Sequence, residues 1–253
     1  MTRRGGDVVF ALGAHPDDIE CTCAGTLAAL ARRGVEVHVA VATDGWCGSY
    51  ELTGPEIAAV RLEEARRAAE IAGAASFHHL GMHDQGTDVT IERRRELVNL
   101  IRRLKVTVLL GHAPNDYHVD HRNSGELIFQ ARCAAVVPNF ADEPPLSHPP
   151  HAAFIDNEQG IAFDPHIWID IGETIDVKRQ MLAAHESQVD LMQRMYGENL
   201  VEMVERLTRM RGGQRGCDYA EGFRGCGTFP EPDGALRFLV RTLEGWGGSR
   251  SPE

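Results

Sequence analysis

The stretch that decides the fold is residues 8–20, which read VVFALGAHPDDIE. Its first five residues, Val8 to Leu12, are apolar and include β-branched and aromatic side chains, which predicts a buried strand. The strand is followed at once by His15, Asp17 and Asp18. Because ligands of open α/β sheets bind outside the carboxyl ends of the strands, this stretch predicts both a core strand and a functional loop.

The chain from there to about residue 136 alternates between short apolar runs and longer helical patterns. The predicted strands are residues 8–12, 35–42, 77–80 and 106–110. The predicted helices are residues 25–33, 55–72, 91–104 and 124–136. Alternation of this kind indicates βαβ units, so we expect an α/β fold with a mainly parallel sheet flanked by helices.

The C-terminal part gives weaker patterns. Residues 138–165 are rich in proline and histidine and predict an irregular surface segment, with a lid as one interpretation. The remaining expectations are a strand at 166–171, a helix at 173–195, little regular pattern at 211–227, and a strand or helix at 235–243. The sequence shows no internal repeat and no clear linker, so we expect a single domain over residues 1–253.

Composition excludes some classes of partner and suggests a compartment. The net charge is −11, with 26 basic and 37 acidic residues and no long basic run, so neither nucleic acid nor a membrane is an expected partner. Six cysteines are scattered without a C-x-x-C pair, which favours reduced thiols in the cytoplasm. The apolar run at residues 8–12 is too short for a signal-peptide core.

Two polar clusters follow predicted strands. The first is AHPDDIE at residues 14–20, and the second is PNDYHVDH at residues 114–121, shortly after the strand ending at residue 110. A catalytic zinc takes three nitrogen or oxygen ligands and leaves a fourth position to water. His15 and Asp18 are three residues apart, as are His118 and His121. Two such pairs on adjacent loops supply enough ligands and leave residues over for catalysis.

The remaining residues of these clusters match the needs of amide hydrolysis. Attack by water needs a base, for which Asp17 is a candidate, and the oxyanion or leaving amine needs a partner such as His118. Asp120 is a candidate for holding the imidazolium form of His118. Each pattern alone is weak, since adjacent aspartates after a strand are often a helix N-cap. Their occurrence together at two strand ends favours a metal site.

The two clusters resemble the signature motifs A-H-P-D-D-x-E and P-x-D-x-H-x-D-H of the PIG-L/LmbE-like family of zinc-dependent N-acetylglucosamine deacetylases. The resemblance implies a Rossmann-like sheet, Zn²⁺ as cofactor and the ligand set His15, Asp18 and His121. It further implies catalytic roles for Asp17 as general base, for His118 at the tetrahedral intermediate, and for Asp120 as the aspartate that tunes His118.

Weaker similarities extend over most of the chain. Arg61 lies in an R-x-x-E pattern and Asp84 in an L-G-x-x-D pattern, which by resemblance makes both residues substrate contacts. The mycothiol-pathway members of the family carry a tyrosine where Asp116 stands here, and the tyrosine of this chain is Tyr117. Relatives often form homo-oligomers, so the resemblance also allows a homo-oligomer.

The function predicted on this basis is removal of an acetyl group from a small-molecule N-acetylated amino sugar, such as an N-acetylglucosaminyl conjugate. One alternative is an N-deacylase that tailors an antibiotic or another secondary metabolite. Another is a non-catalytic, Rossmann-like nucleotide- or metal-binding protein. Against nucleotide binding, no G-x-G-x-x-G follows the first strand, and the carboxylates of Asp17 and Asp18 would repel a phosphate.

Overall fold

The computed structural model describes residues 6–243, within which a single sheet is flanked by helices. The strands are β1 (Val8–Gly13), β2 (Glu36–Thr43), β3 (Ser76–Met82), β4 (Val108–Gly111), β5 (His151–Ile155), β6 (Ile167–Asp170) and β7 (Ala220–Gly225). The helices are α1 (Asp18–Thr22), α2 (Ala24–Arg32), α3 (Gly54–Ile71), α4 (Ile91–Arg103), α5 (Val119–Ala134), α6 (Ile175–Ala183), α7 (Glu186–Tyr196), α8 (Leu200–Arg215) and α9 (Gly234–Leu243).

The sheet has the order β3-β2-β1-β4-β5-β7-β6. The pairs among β1 to β5 are parallel, and β7 runs antiparallel to both β5 and β6. The predicted fold class, a Rossmann-like and mainly parallel sheet flanked by helices, is therefore confirmed. The strand order reverses between β1 and β4, which is the point where doubly wound sheets form their ligand crevice.

Strand β1 lies in the middle of the core, and all six of its residues are buried. Successive side chains of a strand point to opposite faces, so β1 contributes to two clusters. Val9 and Ala11 pack in the cluster that contains α2, whereas Phe10 and Leu12 pack in the cluster that contains α4 and α5. Because both faces are covered, the strand appears in the sequence as an unbroken apolar run.

The expectation of irregular structure missed regular elements within two segments, although most of residues 138–165 is irregular as expected. Residues 138–165 contain β5, which is paired with β4 on one side and with β7 on the other. Residues 211–227 contain the end of α8 and the whole of β7. Both strands are short and lack a regular apolar period, so their strand conformation is stabilised by pairing with distant parts of the chain.

Two helix boundaries also differ from the predictions. The predicted helix at 173–195 is two helices, α6 and α7, which are separated at His185 (φ −86°, ψ 58°). Helix α5 begins at Val119, five residues before the predicted start. The His118 side chain caps it by accepting the backbone N–H of Asp120. This early start places Asp120 and His121 in the first turn of α5.

The prediction of one domain over residues 1–253 extends beyond the described range at both ends and stays a prediction. Between residues 6 and 243, no helix has both the length and the apolar character needed to cross a membrane.

A buried ion pair in the C-terminal half of the chain is hydrogen-bonded to α1 and to the first turn of α2. Lys178 Nζ lies 2.7 Å from Glu221 Oε1 and donates to the backbone oxygen of Cys21. The Glu221 carboxylate accepts the backbone N–H groups of Gly25 and Thr26 in the first turn of α2. This carboxylate therefore satisfies free donors of a helix N-terminus, where a negative charge is favoured.

We expect Lys178→Met to lower the free energy of unfolding by about 3–5 kcal/mol, because it leaves the buried charge of Glu221 without its partner. Urea unfolding measures the loss. The matched control is Lys105→Met, which replaces the exposed second lysine of the chain. Equal stability of the two variants would contradict a stabilising role for the buried pair.

Candidate metal centre and active site

The two motifs meet at the carboxyl ends of β1 and β4. These strands are parallel neighbours, so the loop after Gly13 and the loop after Gly111 leave the sheet at the same edge. The first loop carries His15 and leads into α1, which begins at Asp18. The second loop leads into α5 and carries His118 next to its first turn.

Two histidine rings converge on the Asp18 carboxylate. His15 Nδ1 lies 3.5 Å from Asp18 Oδ2, and His121 Nε2 lies 3.4 Å from Asp18 Oδ1. In addition, ligand atoms lie within 4.8 Å of one another in two overlapping groups, one of His15, His118 and His121 and the other of Asp18, His112 and His121. Two imidazole nitrogens and one carboxylate are the donor set of a catalytic divalent metal site, so the side chains fit such an ion.

The other nitrogen of each ring is held by a carboxylate. His15 Nε2 lies 3.2 Å from Asp120 Oδ2 and 3.3 Å from Asp84 Oδ1. His121 Nδ1 lies 3.1 Å from Asp116 Oδ1. Such partners orient metal-binding imidazoles and raise their basicity. Both rings are therefore oriented with one nitrogen toward Asp18.

Two contributors to this arrangement were missed at the sequence level. His112 directly follows β4, is 1% exposed, and places Nε2 3.0 Å from Asp18 Oδ2. Its ring stacks on that of His121 with 4.0 Å between centroids. Asp116, which matches the first aspartate of the second motif but was given no role, is the carboxylate on His121. The position of His112 at a strand end was a usable signal, whereas nothing in the spacing indicated the contact of Asp116.

Electrostatics tie the cluster together. Burial alone would raise the pKa of Asp18, but His121, His112 and His15 hold it well below its usual range. Burial opposes a charge on His121, yet Asp18 and Asp116 raise the pKa of this histidine to about 9. Because metal ligands must be deprotonated, an ion that binds here displaces these protons and replaces their charge.

Asp17 stands beside the cluster in a strained conformation. Its φ of 133° lies in a region that residues other than glycine rarely adopt, and the surroundings must compensate for a cost of about 1–3 kcal/mol. It occupies the N-cap position of α1 but makes no capping hydrogen bond, so the simple N-cap interpretation does not apply. Burial raises the pKa of Asp17, partly opposed by Arg61.

Arg61 and Asp84, the two predicted substrate contacts, are both largely buried. Arg61 Nη2 lies 3.2 Å from Asp17 Oδ2 and donates to the backbone oxygen of Pro16 at 2.8 Å. Asp84 accepts the backbone N–H of Cys47 in addition to its contact with His15. Their partners in this structure are therefore groups of the protein that shape the site.

His118 and Asp120 are brought together, but not by the carboxylate contact that was expected. His118 Nδ1 accepts the backbone N–H of Asp120, so the proton of the neutral ring is assigned to Nε2. The carboxylate of Asp120 instead contacts His15 and accepts from the backbone N–H groups of Gln85 and Thr87. Burial, and then His15 and His121, lower the pKa of His118.

A cavity of about 580 Å³ opens beside Asp17 and Asp18. This volume is in the range of small-molecule sites. Its other walls come from the turn at residues 158–159 and from α7, α8 and the loop between them.

We expect Asp116→Ala to weaken metal binding about 10–100-fold, because His121 loses the partner that orients its ring. Competition with a chromophoric chelator measures the affinity for Zn²⁺. The control is Asn115→Ala, since the Asn115 side chain is exposed and bonds to Ala162 and Arg224 rather than to a histidine. Wild-type affinity in Asp116→Ala would contradict the orienting role.

Known proteins resemble this chain in sequence and in structure. Residues 10–132 match the family model described as PIG-L, GlcNAc-PI de-N-acetylase. The diacetylchitobiose deacetylase of Thermococcus kodakarensis is 32% identical over 230 residues, which cover 85% of this chain and 82% of that protein. The solved N,N'-diacetylchitobiose deacetylase of Pyrococcus horikoshii superposes with a TM-score of 0.76 at 25% identity, covering 87% of this chain and 84% of that one.

Other relatives show how varied the matched proteins are. A probable N-acetyl-alpha-D-glucosaminyl L-malate deacetylase 2 of Bacillus anthracis is 28% identical over 77% of this chain and 89% of that protein. A 4-oxalmesaconate hydratase of Pseudomonas putida is 27% identical over 84% of this chain and 86% of that protein. The identity and coverage of the Thermococcus relative, together with the family model, show that the chain belongs to the PIG-L family of de-N-acetylases.

Proposed function

We propose that the protein hydrolyses the acetamide of an N-acetylated amino sugar, with Zn²⁺ held by His15, Asp18 and His121. The convergence of His15 Nδ1 and His121 Nε2 on the Asp18 carboxylate, in a chain of this family, is the observation that carries the proposal. The same donors accept Fe²⁺, Co²⁺ or Mn²⁺ as well, so the metal itself is part of what is proposed.

A divalent ion held by His15, Asp18 and His121 would supply Lewis acidity toward the amide carbonyl and would lower the pKa of water to about 7. Asp17 would take the proton of the attacking water, for which its place in the cavity wall next to Asp18 is suited. Arg61 Nη2 contacts both Asp17 Oδ2 and the backbone oxygen of Pro16. We therefore assign Arg61 the role of positioning the base.

His118 would stabilise the tetrahedral oxyanion. With Nδ1 occupied by the backbone of Asp120, its Nε2–H is a hydrogen-bond donor in a half-buried position. When the C–N bond breaks, the proton held by Asp17 passes to the departing amine, and acetate is the second product. Asp120 would act by orienting His15 and by holding His118 through its backbone N–H.

The substrate assignment follows the relatives, whose names specify diacetylchitobiose and an N-acetylglucosaminyl conjugate. A contact of Asp84 with the sugar and a cytoplasmic location stay predictions, as do a homo-oligomer and the tailoring of a secondary metabolite.

The hydratase relative makes addition of water to a carbon–carbon double bond a second candidate reaction. The non-catalytic alternative is not supported, because the chain belongs to an enzyme family and carries both complete motifs.

Zinc-loaded protein should release amine and acetate from N-acetylglucosamine, N,N'-diacetylchitobiose or an N-acetylglucosaminyl glycoside. Asp17→Asn should keep its zinc and lose about 10²–10⁴-fold in turnover, the usual contribution of a general base. His121→Ala should lose the metal. Near-normal turnover in Asp17→Asn would refute the base, and full zinc occupancy in His121→Ala would refute the ligand set. Hydration of 4-oxalmesaconate without any amine release would favour the second candidate.

Steady-state kinetics distinguish two roles for Arg61, which are positioning of Asp17 and contact with the sugar. If it positions Asp17, Arg61→Met should lower kcat about 10–100-fold with little change in KM, since a misplaced base slows the chemical step. The measurement is a steady-state series on the best substrate of the screen. A rise in KM at unchanged kcat would instead indicate the sugar contact that the family pattern implies.

A further inference from the structure

The cavity beside Asp17 and Asp18 extends well beyond the space that an acetamide needs. One wall is the turn at residues 158–159, and the opposite wall is formed by α7, α8 and their connection. None of these elements belongs to the two metal motifs, and all lie after residue 132, where the match to the family model ends. This outer part of the cavity is therefore built by residues outside the match to the family model.

The charges that line the cavity are nearly all paired. Glu198 forms an ion pair with Arg206, and Asp17 lies 3.2 Å from Arg61. Asp18 is surrounded by histidines of the metal site. Among the described residues that line the cavity, Glu158 is the carboxylate left without a basic partner. The Glu158 carboxylate accepts a hydrogen bond from the Tyr117 hydroxyl, which is uncharged.

The surroundings of Glu158 disfavour further negative charge. Glu158 is half-buried and lines the same cavity as the Asp17 and Asp18 carboxylates. An anionic group placed here would meet the unfavourable field of these carboxylates. A cationic group would relieve it, and a hydroxyl would find a strong acceptor in the carboxylate.

The wall formed by α7, α8 and their connection carries apolar side chains beside Gln188 and the Glu198–Arg206 ion pair. Leu200 is buried at its base, Met192 and Met203 are half-buried, and Tyr196 is 64% exposed. An exposed aromatic ring beside flexible methionine side chains suits the apolar face of a sugar ring or a similar cyclic group. One wall thus offers packing and the other offers a carboxylate.

We propose that this cavity receives the group attached to the acetamido sugar, and that Glu158 is the specificity-determining residue that admits an uncharged or cationic group and rejects an anionic one. This inference rests on the proposed deacetylation and narrows its substrates. It favours a second sugar or amino sugar and disfavours a carboxylate- or phosphate-bearing conjugate.

The test compares three substrates on the zinc-loaded full chain. N,N'-diacetylchitobiose is neutral, its monoacetylated form with the free amine on the other unit is cationic, and N-acetylglucosaminyl malate is anionic. Wild-type protein should show kcat/KM for the malate conjugate at least about tenfold below that for the neutral compound, the size expected for one unfavourable charge contact. Glu158→Gln should raise kcat/KM for the malate conjugate about tenfold by lowering its KM. The same variant should lower kcat/KM for the cationic compound about tenfold by raising its KM. The neutral substrate should change less than about twofold.

The matched control is the double variant Glu198→Gln/Arg206→Gln, because it removes an ion pair from the same cavity without changing the net charge there. We expect a much smaller change in charge preference from it. An unchanged preference in Glu158→Gln, or an equal fall for all three substrates, overturns the proposal while leaving deacetylation intact. If no compound is deacetylated, the proposed function fails instead. Calorimetric binding of the same three compounds then decides the charge preference, and equal affinities overturn it.

Discussion

The rest of the site depends on the contacts that the Asp18 carboxylate makes with three histidines. The carboxylate lies between His15 from the loop after β1 and His121 from α5, and His112 Nε2 also contacts it. These residues come from two strands that are neighbours only because the chain crosses the sheet at the β1–β4 switch point. The parallel pairing of β1 with β4 therefore sets the distance between the two halves of the site.

A buried carboxylate among histidines is costly unless its charge is balanced. The protein arranges further carboxylates behind the histidines, with Asp120 and Asp84 on His15 and Asp116 on His121. The imidazole rings of His15 and His121 are thereby each held with one nitrogen toward the Asp18 carboxylate. The same set of charges attracts a divalent ion, which replaces several protons at once. Preorganisation for metal and stability of the metal-free site thus use the same contacts.

The backbone contributes at two places. His118 caps α5 through Nδ1, which starts the helix early and at the same time assigns the proton of the ring to Nε2. Asp17 is held at a φ of 133°, and Arg61 holds its side chain. Local strain of this kind persists where surrounding contacts over-determine the conformation, as they do at functional sites. In the proposed mechanism, both residues act on the reacting groups from positions that the backbone dictates.

The sequence by itself determined the fold class and the first four strands, since apolar runs such as residues 8–12 and helical patterns such as residues 55–72 are local signals. It also located the two motifs, because their residue types and spacing need no knowledge of the rest of the chain. Only the tertiary structure decided that β5 and β7 are strands, that Asp116 faces His121, that Asp120 faces His15 and that Glu158 reaches the cavity. These are contacts between residues that no local pattern connects, and they form only when the sheet and the later helices have packed.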